Sequence, residues 1–165
     1  MPILDERSLE FLSHSPEQTR RVGVRLGEML RGGHLICLDG DLGSGKTTLT
    51  QGIARGWGAL ESATSPTFVL VNEYHRADAD LLYHVDAFRL ATPQEATAMG
   101  LGELLAEGRV VVMEWPAHIE GILPGDRLRV AMSWVDESRR ALRFEAHGPA
   151  HLRLLGGFRK AAFGG

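Results

Sequence analysis

Three short, largely apolar runs stand out along the chain because they do not alternate with polar residues. They are Leu35–Leu38, Leu81–Val85 and Val110–Met113. A strand exposed on one face alternates apolar and polar residues, whereas a continuous apolar run is typical of a strand covered on both faces. The runs therefore predict an α/β fold with a mostly parallel sheet flanked by helices.

Weaker patterns predict further strands. A brief alternation over Leu9–Phe11 predicts an edge strand, and an alternating run that follows Ser65–Phe68 and extends through Tyr74 predicts another. Arg127–Trp134 and Ala141–His147 follow each other without a helix-length connection. They predict an antiparallel pair at the C-terminal edge of the sheet.

Helix signals lie between these strands. Ser15 is a predicted N-cap, Pro16 takes the first helical position, and Gln18 completes a capping box. Apolar residues at helical spacing follow, and Gly32 with Gly33 is expected to end the helix. The residues of this apolar face are Val22, Leu26, Met29 and Leu30.

Two later segments have mixed signals. Residues Pro93–Leu105 predict a helical or irregular connection broken at Gly100 and Gly102, and Pro149–Leu155 predicts a short helix. At 165 residues the chain is long enough for one domain with a sizeable core. We therefore expect a single domain over residues 1–155 and a frayed tail over 156–165. Because residues 40–48 fit the phosphate-binding pattern G-x-x-x-x-G-K-[ST], that domain is expected to be P-loop NTPase-like.

The strongest chemical signal follows the first apolar run. Residues 40–48 fit the pattern G-x-x-x-x-G-K-[ST], in which glycines let backbone N–H groups approach an anion at a helix N-terminus. Lys46 is expected to reach the β- and γ-phosphates, and the Thr47 hydroxyl to bind Mg²⁺. A chance match is improbable because the chain has only two lysines, Lys46 and Lys160. The predicted nucleotide-binding residues are Asp41, Leu42, Gly43, Ser44, Gly45, Lys46, Thr47 and Thr48.

Acidic residues follow the other two apolar runs, at the sheet edge where α/β folds bind ligands. Asp86 and Glu114 are candidates for binding Mg²⁺ or orienting water, and the sequence leaves open which does which. Trp115 is expected either to stack on the base or to fill the core. His84 is interpreted as a packed strand histidine rather than a ligand. On spacing alone, we interpret the loop around Thr67 as a plain turn in preference to a sensor of the γ-phosphate.

Composition removes several other classes of function. The net charge of −3 provides no overall basic field for nucleic acid, so any contact with RNA is expected to be local or through a partner. The single cysteine, Cys37, lies in a predicted buried strand, which suits the reducing cytoplasm. No apolar run reaches membrane-spanning length, and Met1–Glu10 is too charged for a signal sequence.

Four motifs in order resemble the TsaE (YjeE) family, the ATPase component of bacterial tRNA threonylcarbamoyladenosine synthesis. They are Gly40–Thr48, Ser65–Phe68, Tyr83–Leu90 and Glu114–Pro116. The resemblance extends from about Ser15 to the region of residues 134–139. It implies a small α/β phosphate-loop domain with a mixed sheet, which agrees with the elements predicted above.

The resemblance also implies roles for individual residues. Thr67 would sense the nucleotide state, Asp86 and Glu114 would be the family's two acids with Glu114 on the metal side, and Arg139 would lie near the nucleotide. Phe88 stands where many members have tyrosine. The family binds ATP and Mg²⁺ and acts with TsaD and TsaB rather than transferring the threonylcarbamoyl group itself. ATP hydrolysis by the isolated chain would therefore be weak.

Two other functions remain compatible with the phosphate loop. One is a small-molecule kinase, although the arginines of 127–143 lie in strand-like sequence rather than in an obvious lid. The other is a nucleotide-gated binding module with little turnover. A GTPase is disfavoured because the only asparagine, Asn72, is followed by Glu73 and not by the lysine of a guanine-binding motif.

Overall fold

A computed structural model describes residues 5–41, 43–63 and 71–164. The strands in these ranges are β1 Ser8–Ser13, β2 Leu35–Asp39, β3 Val71–His75, β4 Leu81–Asp86, β5 Val110–Glu114, β6 Arg127–Trp134 and β7 Arg140–His147. The helices are α1 Pro16–Gly27, α2 Lys46–Trp57, α3 Pro93–Ala98, α4 Leu101–Ala106, a 3₁₀ helix at Ala117–Ile122, and α5 Pro149–Phe163.

The described strands form one seven-stranded sheet in the order β1-β7-β6-β2-β5-β4-β3. The three predicted apolar runs become β2, β5 and β4, which lie side by side and parallel in the middle of the sheet. The predicted β6–β7 pair is antiparallel, and β1 joins it at the edge. These features confirm the predicted fold class. The structure adds an antiparallel hairpin of β3 and β4 at the other edge.

Helices cover the sheet on both faces, which explains the continuous apolar runs. In β2, Ile36 and Leu38 face the core under α1, α2 and α5, whereas Leu35 and Cys37 face the core under α3, α4 and the 3₁₀ helix. Burial raises the pKa of the Cys37 thiol to about 12, so this thiol stays protonated and inert.

Helix α1 begins as predicted but ends earlier. The Ser15 hydroxyl accepts the Gln18 backbone N–H at 3.1 Å, and the Gln18 side chain accepts from His14 N rather than from Ser15 N. The helix ends at Gly27, five residues before Gly32, because the next residues make tight turns, with Met29 N bonded to Leu26 O.

The predicted frayed tail is wrong for residues 156–163, because they form the second half of α5. Phe158 is fully buried, with its ring 5.1 Å from that of Phe144 in β7. The predicted short helix, Pro149–Leu155, therefore continues through Gly156 and Gly157. Gly157 makes room for a neighbour, since a Cβ there would lie 2.6 Å from Met29 Cε.

Helices α1 and α2 pack backbone against backbone through facing glycines. A Cβ at Gly23 would lie 2.5 Å from Leu49 O, and one at Gly52 would lie 2.2 Å from Arg20 O. Gly27 and Gly56 repeat this contact one turn further along both helices, with atoms 2.1 Å from the position of a Cβ. Because α2 begins at the phosphate loop, this close contact fixes the loop's helix to the rest of the protein.

We therefore expect Gly52→Ala to destabilise the protein by about 3 kcal/mol, because the added methyl group would meet backbone rather than a movable side chain. Gly102→Ala in α4 is the matched control, since a Cβ there has no neighbour within 4 Å. The control is expected to be neutral or stabilising by up to about 1 kcal/mol. Thermal and urea unfolding measure both, and equal stability of the two variants would contradict the close packing.

Two neighbouring histidines accept hydrogen bonds from backbone N–H groups. His34 Nδ1 accepts from Arg31 N at 2.9 Å, and the fully buried His151 Nε2 accepts from Leu35 N at 2.9 Å. His151 Nδ1 lies 2.7 Å from Asp126 Oδ1, and Asp126 also accepts two N–H groups at the start of α5. Burial lowers the pKa of both imidazoles, that of His34 to about 4.

Stability is therefore expected to fall as the pH falls. A folded-state pKa below the unfolded value of about 6.5 means that the unfolded chain binds more protons, so stability is complete above pH 6.5 and declines from there toward pH 4. His34→Asn keeps an acceptor but cannot titrate, and should lose less stability between pH 7 and pH 5 than the parent protein. His118→Asn, at an exposed position, should show the parental slope. Identical slopes for all three proteins in urea unfolding would refute the assignment.

Candidate functional site

The glycine-rich segment forms a tight loop between β2 and α2. Gly45 is the N-cap of α2 with φ +103°, and Gly43 has φ +83°, conformations that favour glycine. Gly40 is required for a different reason, because a Cβ there would lie 2.6 Å from Met132 O. The loop closes on itself through a bond from Ser44 N to Asp41 O at 3.1 Å. The structure thus brings the described members of the predicted loop together at the start of α2.

The loop contains polar groups that suit an anion. The Ser44 hydroxyl is buried and has no hydrogen-bond partner within the described part of the chain. No side-chain cap from that part of the chain covers the N-terminus of α2, where backbone N–H groups and the helix dipole favour negative charge. Thr47 is exposed in the first turn of α2, and Thr48 next to it is half-buried. A phosphate group fits this set of donors.

Lys46 is a buried cation without a carboxylate partner. Its side chain is 6% exposed, its Nζ donates to Gly40 O, and the ammonium group lies 3.4 Å from the centre of the Trp115 ring. It forms no ion pair with any carboxylate in the described ranges. Burial lowers the Lys46 pKa, and nearby carboxylates, Glu114 foremost and then Asp86, act in the opposite direction. The Lys46 ammonium group is therefore placed to bind an anion.

The two predicted acids are neighbours at the ends of parallel strands. Asp86 in β4 is paired in register with Glu114 in β5. Asp86 is half-buried and accepts the Phe88 N–H at 3.0 Å, whereas Glu114 is only 5% exposed. The structure thus brings both acids to the carboxyl ends of the parallel strands, where the loop also begins. Two carboxylates beside a phosphate-binding loop are suitable oxygen ligands for Mg²⁺.

Trp115 closes the site from one side. Its backbone has φ +59°, which is unusual for a tryptophan, and its N–H donates to Leu38 O at 3.2 Å. Its ring contacts Lys46 on one side and, edge-on at 5.1 Å between centroids, the ring of Phe88. Phe88 is 60% exposed. Trp115 therefore lies at the site. It does not fill the hydrophobic core, which was one of the two roles considered for it.

Sequence reasoning missed the partner of Glu114. His84, interpreted there as a packing residue, is 1% exposed, and its Nε2 lies 2.5 Å from Glu114 Oε2. Its Nδ1 lies 3.0 Å from the hydroxyl of Tyr74. The residue was visible as a polar side chain within a buried strand, two positions before Asp86. What the sequence did not give was the strand order that brings it to Glu114.

The arginine that contacts the loop is Arg140, one residue after the predicted Arg139. Arg139 bonds within the β6–β7 turn, with Nε 2.6 Å from Asp136 Oδ2, and this hydrogen bond lowers the Asp136 pKa to about 2. It is Arg140 that reaches the phosphate loop, donating from Nε to Gly43 O at 3.0 Å. The structure therefore gives Arg139 a turn-stabilising contact and brings Arg140 to the site in its place.

Two predicted segments lie outside the described residues. They are Leu42 in the phosphate loop and Ser65–Phe68, which includes Thr67. Within the described ranges, no group of three or more His, Cys, Asp or Glu side chains is arranged to hold a metal ion by protein ligands alone. No helix in the same ranges has the length and apolar character needed to cross a bilayer.

The fold and the site define a class of protein, an α/β domain with a strand–glycine loop–helix phosphate site and two acids on adjacent strands. The family model described as "Threonylcarbamoyl adenosine biosynthesis protein TsaE" matches residues 13–142. The chain therefore belongs to the TsaE family.

Individual relatives agree with this assignment. The chain is 34% identical over 143 residues to the tRNA threonylcarbamoyladenosine biosynthesis protein TsaE of Bacillus subtilis, covering 86% of this chain and 88% of the relative. It is 39% identical over 142 residues to the Nostoc protein of the same name, covering 83% and 85%. The crystal structure of Bacillus subtilis YdiB superposes with a TM-score of 0.77 at 30% identity, covering 93% of this chain and 95% of YdiB.

The contact between Lys46 and Trp115 gives a direct optical prediction. An anion that draws the ammonium group off the indole ring should change Trp115 emission, because a cation over the ring perturbs its electrons. We expect a saturable change in fluorescence when ATP is added, retained in Trp134→Phe and lost in Trp115→Phe. Trp134 is an exposed tryptophan at the end of β6 and so provides the matched control. A fluorescence change of parental size in Trp115→Phe would assign the change to another tryptophan and contradict the prediction.

Proposed function

We propose that the protein is a cytoplasmic Mg²⁺-dependent ATPase required for threonylcarbamoyladenosine modification of tRNA. It acts through a complex with TsaD and TsaB homologues, contacts tRNA only indirectly, and does not transfer the threonylcarbamoyl group itself. Membership of the TsaE family supports the pathway. The observation that carries the ATP-binding role is the burial of Lys46 beside a glycine-rich loop, where it has no carboxylate partner in the described residues. In the same loop, the buried Ser44 hydroxyl has no hydrogen-bond partner in those residues.

The loop residues bind and orient the triphosphate. Backbone N–H groups of residues 43–48 and the Ser44 hydroxyl donate to phosphate oxygens. The Lys46 ammonium group leaves the Gly40 carbonyl and the Trp115 ring and binds the phosphates instead. A bound Mg²⁺ would neutralise developing charge on the β- and γ-phosphates, with Thr47 and Glu114 as its protein ligands. Asp86, beside Glu114, would orient the attacking water. Thr67 remains a proposed sensor of the γ-phosphate.

The contacts of Arg140, which donates to the loop at Gly43 O, support the proposed dependence on partners. Catalysts of phosphoryl transfer commonly place an arginine against the transferred group. Arg140 is turned to backbone carbonyls, with its Nη1 bonded to Asp136 O at 2.6 Å and to Arg139 O at 2.9 Å. Slow hydrolysis by the isolated chain is expected for this reason, with a faster rate in the complex.

Phosphate release from ATP, measured with and without TsaD and TsaB homologues, tests the proposal. We expect slow release by the isolated chain and an increase on complex formation. Glu114→Gln should lower turnover about a hundredfold while changing ATP affinity by less than about tenfold, because the carboxylate acts mainly on the reacting state. Parental turnover in Glu114→Gln would refute its role. Transfer of label to a small acceptor, instead of phosphate release, would identify a kinase.

Lysine replacement tests the binding step separately. Lys46→Ala should weaken ATP binding about a hundredfold, since it removes the cation that faces the phosphates. Lys160→Ala, at an exposed position in α5, removes the other lysine of the chain and should bind ATP like the parent protein. Isothermal titration measures both affinities. Equal affinity for the two variants would contradict the assigned phosphate site.

A further inference from the structure

We propose that His84, supported by Tyr74, is a positioning residue that holds the Glu114 carboxylate away from Lys46, so that the lysine stays available to phosphate. This inference rests on the proposed function, since Lys46 is taken to bind nucleotide. It assigns a role to a buried polar pair that the loop and the two acids leave unexplained.

Strand register builds the contact. His84 in β4 is paired with Val112 in β5, two residues before Glu114 and on the same face of the sheet. Tyr74 in β3 is paired with Leu82, two residues before His84. Tyr74, His84 and Glu114 therefore form a diagonal across three adjacent strands, beneath the helix that follows the phosphate loop. All three side chains are buried.

Hydrogen bonding fixes the direction of the diagonal. An ionised Glu114 can only accept, so His84 Nε2 is the donor across the 2.5 Å contact. The proposal takes the imidazole with its single hydrogen on Nε2, so that Nδ1, 3.0 Å from the Tyr74 oxygen, accepts from the Tyr74 hydroxyl. The contact engages Oε2 of the carboxylate. A carboxylate that is 95% buried would otherwise lack a partner of this strength.

The consequence concerns Lys46. Its ammonium group lies 3.4 Å from the ring centre of Trp115, the residue that follows Glu114. Glu114 is also the foremost of the carboxylates that raise the Lys46 pKa against the effect of burial, yet the two side chains form no ion pair. Lys46 instead contacts Gly40 O and the Trp115 ring. If His84 did not hold Oε2, the carboxylate would be drawn to the lysine, and a nucleotide would have to break that ion pair before it could bind.

The test compares Mg²⁺-free ATP affinity in matched variants by isothermal titration. His84→Phe removes the donor and should raise Kd about tenfold, the effect of about 1.4 kcal/mol. His84→Gln can still present an N–H to Glu114 and should stay within about twofold of the parent protein. His84→Asn is too short to do so and should behave like His84→Phe, which covers the case in which the phenylalanine variant fails to fold.

A double substitution separates positioning from a general structural role. In His84→Phe combined with Glu114→Gln, the neutral amide cannot form the competing ion pair, so Kd should return to within about twofold of that of Glu114→Gln alone. A defect in packing would persist in the double variant. Persistence of the full tenfold loss, or parental affinity in His84→Phe and His84→Asn, would overturn the proposal.

Nitrogen NMR of labelled histidine gives a readout without nucleotide. The proposal requires hydrogen on His84 Nε2 and an unprotonated Nδ1, and observation of the opposite tautomer would overturn it. The parent protein distinguishes the two levels of inference. If it fails to bind ATP at all, the proposed function is wrong, while the NMR spectrum still reports on whether His84 donates to Glu114.

Discussion

The site depends on keeping one buried ammonium group charged without a carboxylate partner. Burial lowers the pKa of Lys46, and the carboxylates of Glu114 and Asp86 oppose that shift from a distance. A carbonyl oxygen and an indole ring hold the side chain in place, and both interact with it less strongly than an anion would. Within the described residues, no direct contact with a carboxylate neutralises the Lys46 charge, and this is why we propose a phosphate group as the ligand.

The scaffold serves this arrangement by fixing backbone positions. Parallel pairing of β2, β5 and β4 brings the loop, Glu114 and Asp86 to one edge of the sheet. Contact of α1 with α2 through facing glycines holds the helix that begins at the loop. Because the donors in the loop are mainly backbone N–H groups, their direction depends on that helix more than on side-chain rotamers. The packing that makes the scaffold rigid therefore also holds the N–H groups of the loop in their directions.

The parts of this structure that could be predicted from sequence are the local ones. Continuous apolar runs indicated the three central strands, glycine spacing indicated the loop, and Ser15 indicated the start of α1, because each signal lies within a few neighbouring residues. The contact of His84 with Glu114 depends on which strands are adjacent, which no local pattern specifies. The exchange of Arg139 for Arg140 depends on the turn, where a shift of one residue redirects a side chain. The continuation of α5 past Leu155 depends on packing against residues distant in sequence, such as Phe144 and Met29.

The central claim is that backbone N–H groups of the loop surround a triphosphate while Lys46 moves onto it. A crystal structure with Mg²⁺ and a non-hydrolysable ATP analogue tests this most directly. We expect phosphate oxygens within hydrogen-bond distance of the N–H groups of residues 43–48, and the Lys46 ammonium moved from Gly40 O to the β- and γ-phosphates. An analogue bound elsewhere, or a loop without phosphate and with Lys46 still on the Trp115 ring, would contradict it.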